Sequence, residues 1–371
     1  MSLVLAAKRV VDADGERPDA WVRIDGDLIV DTGTGTPPGE ATRVDTLMPG
    51  FIDLHCHGGG GASFTSADPD QIARAAATHR AHGTTTMHAS LVSAAYDDLI
   101  AQVRALIPFV DDGTLRGIHL EGPWISPSYC GAHDPRLLRA PKPDEVARIL
   151  DAGEGRISMV TLAPELPGAI ESIGVIVDRG AVAAIGHTGA DGDVARAAVD
   201  AGATVATHLF NAMPPLLHRD AGPVGVLLAD PRVTCEVIGD GVHLEPEVVA
   251  LALSASEGRG ALITDAMSAA GAGDGDYRIG SLDVVVSQGV ARLSDGGSLA
   301  GSTLLMDSAV RRTVRLADRS LAQASRAASL APARAMRLAD RGLLAVGQRA
   351  DVVALDEDLH VIRMLRGGAW V

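Results

Sequence analysis

Hydrophobic positions change period along this chain. At each end, short apolar or alternating pieces are cut by turn residues. At the front, the pieces at 2–11, 21–24 and 28–30 are separated by Asp12-Ala13-Asp14-Gly15 and Asp25-Gly26-Asp27. At the back, 351–355 and 360–365 flank a turn at Asp356-Glu357-Asp358. Strands at both termini pair most simply with each other, which predicts a small β-domain assembled from residues 1–47 and 336–371. Between them the pattern alternates. Strand-like runs at 50–57, 84–91, 115–121, 157–163, 181–187, 203–209, 233–239 and 261–265 are interleaved with helical periods such as 68–82, 94–110, 142–151 and 191–201. Eight strands alternating with helices predict an α/β fold, a (β/α)8 TIM-type barrel over 48–335. A loop at 271–277 and a hairpin at 278–293 read as an insertion after the eighth strand.

Polar residues that end these apolar runs have a common chemistry. His55 and His57 close the first run, Glu121 the third, His187 the fifth, His208 the sixth and Asp265 the eighth. Residues two apart on a strand face the same side, about 6–7 Å apart along it. Both imidazoles of His55-Cys56-His57 can then reach one ion, while Cys56 points away and packs. A single histidine at a strand end is ordinarily a packing residue, but five ligand types in that placement predict a metal site. His55, His57 and Glu121 would form one position, and Glu121, His187 and His208 another. Imidazole and carboxylate suit zinc or ferrous iron, one or two ions, with an open place for water. Asp265 alone could be a helix N-cap. At the end of a barrel strand beside these ligands it is placed to take a proton from water and return it to a leaving group. A doubly wound sheet would not gather functional groups from strands spread around the count.

Composition narrows the function class. Across 371 residues the formal net charge is −15, which argues against nucleic acid as a partner. Aromatic residues are only 3% of the chain, so the core must be built from Ala, Val, Leu and Ile. The two lysines, Lys8 and Lys142, end no barrel strand, so a carboxylated lysine cannot bridge two ions and Glu121 must. Cys56, Cys130 and Cys235 are too scattered for a disulfide framework. With no signal-peptide pattern at the N-terminus and no apolar run of membrane-spanning length, a reducing, cytoplasmic setting away from membranes is expected.

The segments PGFIDLHCHG (49–58), IHLEGPW (118–124), AIGHTGA (184–190), THLFNAMPPL (207–216), GDGVH (239–243), LITDAM (262–267) and SLAGS (298–302), in this order, resemble the N-acetylglucosamine-6-phosphate deacetylase family of the amidohydrolase superfamily. The resemblance covers essentially the whole chain. His-x-His alone marks only the superfamily; THLFNAM with EGPW and Gly131-Ala132-His133 is far more specific. It implies hydrolysis of the acetamido group of a phosphosugar, in amino-sugar catabolism and cell-wall recycling. It also implies metal ligands at His55, His57, Glu121, His187 and His208, and a catalytic acid-base at Asp265. His133 would contact the acetyl carbonyl, Asn211, Ala212, Arg219 and His243 would receive the phosphate, and Leu299 in SLAGS would line the substrate site. Family members are typically homodimers in which the arginine matching Arg219 reaches across the interface.

Position alone gives weaker readings for some of these. Arg219 beside Asp220 reads as a surface ion pair, His133 as a loop residue and His243 as a strand cap. His79, His82, His88, His119, His218 and His360 are read as structural, and Cys130 is given no chemical role. A different metal-dependent amidohydrolase, such as an N-acyl-amino-acid deacylase or a cyclic amidase, would share the ligands and Asp265 but not need the phosphate set. A non-catalytic scaffold on this fold would be expected to lack ligands or the catalytic acid, and this chain lacks neither.

Overall fold

A computed structural model describes residues 3–295 and 297–371 of the chain; Ser2, at the start of the first expected strand, lies outside them. Eight parallel strands form one continuous sheet in sequence order: Phe51–Asp53, Thr84–Leu91, Gly117–Glu121, Ile157–Leu162, Val182–Ile185, Val205–Ala206, Thr234–Ile238 and Gly260–Ile263. They are called barrel strands one to eight below. Helices alternate with them, among them Pro69–Ala81, Tyr96–Asp111, Pro143–Ala152 and Gly192–Asp200. Asp68 and Asp191 start two of these helices by accepting backbone N–H groups with their carboxylates.

Barrel strands one and eight do not pair along their lengths. The ring closes just beyond their ends instead, through Asp265 N–H to His55 O at 2.8 Å and His57 N–H to Ala266 O at 2.8 Å. Deeper in the bore, the buried Asp53 carboxylate accepts the Thr264 backbone N–H at 3.1 Å and its hydroxyl at 2.6 Å. The barrel seam is therefore made by the segments that carry the histidine pair and Asp265. Any distortion there moves both.

Several strands are shorter than their apolar runs. Strands one, five and six stop at Asp53, Ile185 and Ala206, so their histidines sit in the loops just beyond. Two of those loops turn at once, with φ of +48° at His187 and +29° at His208. A left-handed backbone cannot continue a strand, so the strands end where the chemistry begins. The His55–His57 stretch keeps some strand character through a parallel bridge between Cys56 and Ala266.

Both chain ends share a seven-stranded sheet. Its junction is the antiparallel pairing of Thr42–Pro49 with Val352–Leu355, and Thr42–Pro49 runs almost directly into barrel strand one. The insertion after strand eight is a three-stranded sheet and not a simple hairpin, because Gly275–Ile279 adds a strand to Leu282–Ser287 and Val290–Leu293. The interior is mostly aliphatic, with Trp124, Phe51 and Phe64 its largest fully buried side chains. Among the described residues, no helix is long and apolar enough to cross a membrane.

Candidate active site

Glu121 ends barrel strand three, and its two carboxylate oxygens face different histidines. Oε2 lies 3.4 Å from His55 Nε2 and 3.2 Å from His57 Nε2. Oε1 lies 3.0 Å from both His187 Nε2 and His208 Nε2. Within each pair the imidazoles also meet, His55 Nε2 to His57 Nε2 at 3.1 Å and His187 Nε2 to His208 Nε2 at 3.0 Å. All five side chains are buried. One carboxylate thus stands between two pairs of ring nitrogens, at spacings close to the ~3.4 Å edge of a tetrahedron with ~2.1 Å metal–ligand bonds.

Hydrogen bonds on the far side of three of these four rings fix their tautomers. His57 Nδ1 lies 3.2 Å from Ser90 O, and His187 Nδ1 lies 2.8 Å from Tyr129 O. A carbonyl oxygen only accepts, so both Nδ1 atoms carry the proton. His55 Nδ1 donates likewise to the Glu236 carboxylate at 3.3 Å. Three rings therefore turn Nε2 lone pairs inward, toward one another and toward Glu121. Facing lone pairs repel unless a cation lies between them, so the donor set fits a divalent metal.

His133 is different. Its Nδ1 accepts the Ser93 backbone N–H at 3.2 Å, with the Ser93 hydroxyl 2.9 Å away. The proton of its neutral ring must then sit on Nε2, which points toward Glu121 Oε2 at 3.4 Å. Burial holds its pKa down to about 4 despite nearby Glu121. Although it is close enough to Glu121 and His187 to count as a potential ligand, its tautomer makes it a hydrogen-bond donor to the cavity.

Asp265 Oδ1 lies 3.2 Å from His57 Nε2 and 3.5 Å from His55 Nε2. Burial alone would raise its pKa, but the fields of His55 and His57 outweigh that and bring it to about 2. Glu121 is likewise held well below the carboxylate range: burial opposes, and the surrounding histidines prevail. Burial also opposes the charging of His55 and His57, yet Glu121 and Asp265 keep both raised. This buried cluster draws positive charge to itself. Asp265 also has left-handed backbone, at φ +48°, a conformation costing about 1–3 kcal/mol for a non-glycine residue. It is held there by its N–H to His55 O and by Ser302 N–H to Asp265 O at 2.7 Å. A Cβ on Gly301 would come within 2.9 Å of that same oxygen, so only glycine fits.

These groups open into a cavity of about 500 Å³, and Asn211, Ala212, His243 and Leu299 also line it. Asn211 donates its side-chain amide to His208 O at 3.0 Å. Phe210 and Ala212 have φ of +77° and +50°, which turns the backbone after His208 sharply. His243 Nδ1 donates to Asp240 Oδ2 at 2.7 Å, while Asp240 Oδ1 accepts the N–H groups of Val242 and His243, each at 2.8 Å. Burial works against a charged His243, but Asp240 raises its pKa. Arg219 does not line this cavity; it is exposed, 2.6 Å from the His218 ring.

Three supporting groups lie outside the expected site residues: Ser93, which sets the His133 tautomer; Asp240, which orients His243; and Glu236. Asp240 was legible as an Asp-Gly-x-His turn. Glu236 carried a signal as the single charged residue inside an apolar barrel strand. Ser93 is an ordinary serine 40 residues from its partner and carried none. His119, read as structural, sits behind the site between Ser90 Oγ at 2.9 Å and Thr161 Oγ1 at 2.8 Å.

The amidohydrolase family model matches residues 46–371. An N-acetyl-D-glucosamine-6-phosphate deacetylase from Mycobacterium smegmatis, solved as a variant in complex with N-acetyl-D-glucosamine-6-phosphate, superposes with a TM-score of 0.96 at 47% identity, covering 100% of this chain and 99% of that one. An N-acetylgalactosamine-6-phosphate deacetylase from Escherichia coli O157:H7 is 36% identical over 97% of both chains. The N-acetylglucosamine-6-phosphate deacetylase of Bos taurus is 36% identical over 85% of this chain and 80% of its own length. With the family model covering the barrel and these relatives spanning most of their own lengths, the chain belongs to the amidohydrolase family, among its N-acetylglucosamine-6-phosphate deacetylases.

Proposed function

We propose that this chain hydrolyses N-acetylglucosamine 6-phosphate to glucosamine 6-phosphate and acetate, with two divalent cations, zinc or ferrous iron, that His55, His57, Glu121, His187 and His208 would hold. The observation that carries the reading is the division of Glu121 between two histidine pairs with Asp265 beside one of them. His55, His57, Glu121, His187 and His208 would hold cations there, which would acidify a water and polarise the amide carbonyl. His133 donates its Nε2–H to the carbonyl oxygen as charge develops on it. Asp265, already ionised, accepts a proton from the attacking water and returns it to the amine nitrogen as the C–N bond breaks. The turn at Asn211 and Ala212 and the His243 ring, which Asp240 makes easier to protonate, receive the phosphate, and Leu299 provides an apolar wall. Arg219 stands outside its own cavity on a loop with exposed Leu216 and Leu217. That placement supports a homodimer in which Arg219 serves the neighbouring site. A phosphorylated sugar substrate and three free cysteines support a cytoplasmic location.

Acetate release from metal-loaded protein tests this, with N-acetylglucosamine 6-phosphate, its galactosamine epimer and unphosphorylated N-acetylglucosamine compared. The epimer belongs in the set because the E. coli relative is named for it. Rapid release only from phosphorylated sugars is expected; no release from either would overturn the reading. Within the same assay, Arg219→Ala should lower kcat/KM for the phosphorylated sugar about 30- to 1,000-fold, mostly through KM. That is the ~2–4 kcal/mol value of a charge-assisted contact in a desolvated site. The slow reaction with unphosphorylated sugar should hardly change. Equal losses for both substrates would mean that Arg219 supports the fold or the dimer and does not read phosphate.

A further inference from the structure

Glu236 is fully buried in barrel strand seven, and the proposed chemistry gives it nothing to do. Strand alternation explains its direction: the Cys235 thiol packs outward against Leu227 O, so Glu236 faces the bore. Its Oε2 accepts two hydrogen bonds, from His55 Nδ1 at 3.3 Å and from the His208 backbone N–H at 3.2 Å. Its main-chain carbonyl accepts Leu209 N–H at 2.9 Å. The other carboxylate oxygen, Oε1, is buried with no hydrogen-bond partner among the described residues. Among the described residues no lysine or arginine reaches it; its one ionic contact is the His55 ring. A carboxylate placed in a protein interior needs compensating positive charge, and here the route to such charge runs through His55.

We propose that Glu236 is a positioning residue that ties the two halves of the ligand set together, and that retention of a cation by His55 and His57 depends on it. The proposal rests on the two-cation reading above. Its hold on the two halves is unequal. On His55 it acts through the ring: by accepting the Nδ1 proton it fixes the tautomer, orients the plane and makes Nε2 a stronger donor to a cation. On His208 it acts only through the backbone, pinning a residue at φ +29°, while the His208 Nδ1 has no partner among the described residues. Losing the Glu236 charge should therefore weaken the His55–His57 position far more than the Glu121–His187–His208 position.

Glu236→Gln keeps the size and one acceptor but removes the charge. Bound metal is counted on the purified protein, and the affinity of each cation is measured by chelator competition, independently of turnover. Wild type should hold two cations. Glu236→Gln should bind one of them about 10- to 100-fold more weakly and keep the other, with Glu236→Asp falling between. Both cations held with parental affinity, or both weakened equally, would overturn the proposal. Should the glutamine variant fail to fold, Glu236→Asp decides by the same measurement: selective weakening of one cation supports the role, and unchanged affinities refute it. A wild-type protein that takes up only one cation in excess metal would overturn the two-cation reading itself, and that result is visible before any variant is made.

Discussion

Replacing Glu121 with alanine is expected to strip bound metal from the chain and to cut turnover by more than about 10⁴-fold. Cation binding brings the pKa of water from about 15.7 to about 7, so its loss removes most of the available acceleration. The expectation follows from position. Each of the other proposed ligands serves one cation, whereas Glu121 offers one oxygen to each histidine pair. Removing it takes a ligand from both positions and leaves four imidazoles with no anion between them. His55→Ala is the contrasting case: it removes a ligand from one position only, so metal content should fall by one cation while the His187–His208 position stays filled. Elemental analysis with acetate release separates the two variants. A Glu121→Ala protein carrying parental metal at a parental rate would show that the carboxylate bridges nothing.

Much of the barrel was legible because hydrophobic runs report which segments cross the core, and eight such runs alternate with helical periods. Parallel pairing in sequence order then places every strand end on one face, which is why His55, Glu121, His187, His208 and Asp265 converge. The length of the strands was less legible. A run such as 203–209 looks like one strand, but the left-handed turn at His208 ends pairing at Ala206. Apolar pattern records burial and is silent on φ. Long-range supports were the least visible. The bond from Thr264 to Asp53 spans 211 residues and that from His55 to Glu236 spans 181, and neither leaves a local periodicity. Arg219 shows another limit. The resemblance gives Asn211, Ala212 and Arg219 one shared phosphate role, yet within one chain the turn at Asn211 and Ala212 faces the cavity while Arg219 faces solvent.

Asp265→Asn is expected to lower kcat about 10²- to 10⁴-fold, the usual worth of a positioned proton carrier, with KM and bound metal largely retained. Three features make Asp265 the group to test. It sits at the barrel seam, where its N–H to His55 O and the Ser302 N–H to its own carbonyl hold it in a left-handed conformation. Its Oδ1 lies 3.2 Å from His57 Nε2 and so borders one cation position. Its pKa is depressed to about 2, burial pushing upward and the neighbouring imidazoles pulling further down. The sign matters. With the folded value below the ordinary 3.8, the carboxylate is the ionised base throughout the neutral range and its stabilising contribution is lost only as pH falls through about 2. An acid limb in kcat near pH 5–7 is then not the titration of Asp265, and Asp265→Asn should lower the plateau without moving that limb. The amide keeps the shape and can still donate or accept one hydrogen bond, but it cannot carry a proton from the attacking water to the departing amine. A pH–rate profile for this variant, with metal content measured on the same samples, decides the point. Turnover near the parental rate would assign the proton transfer to another group. Parallel loss of metal and rate would make Asp265 a ligand first.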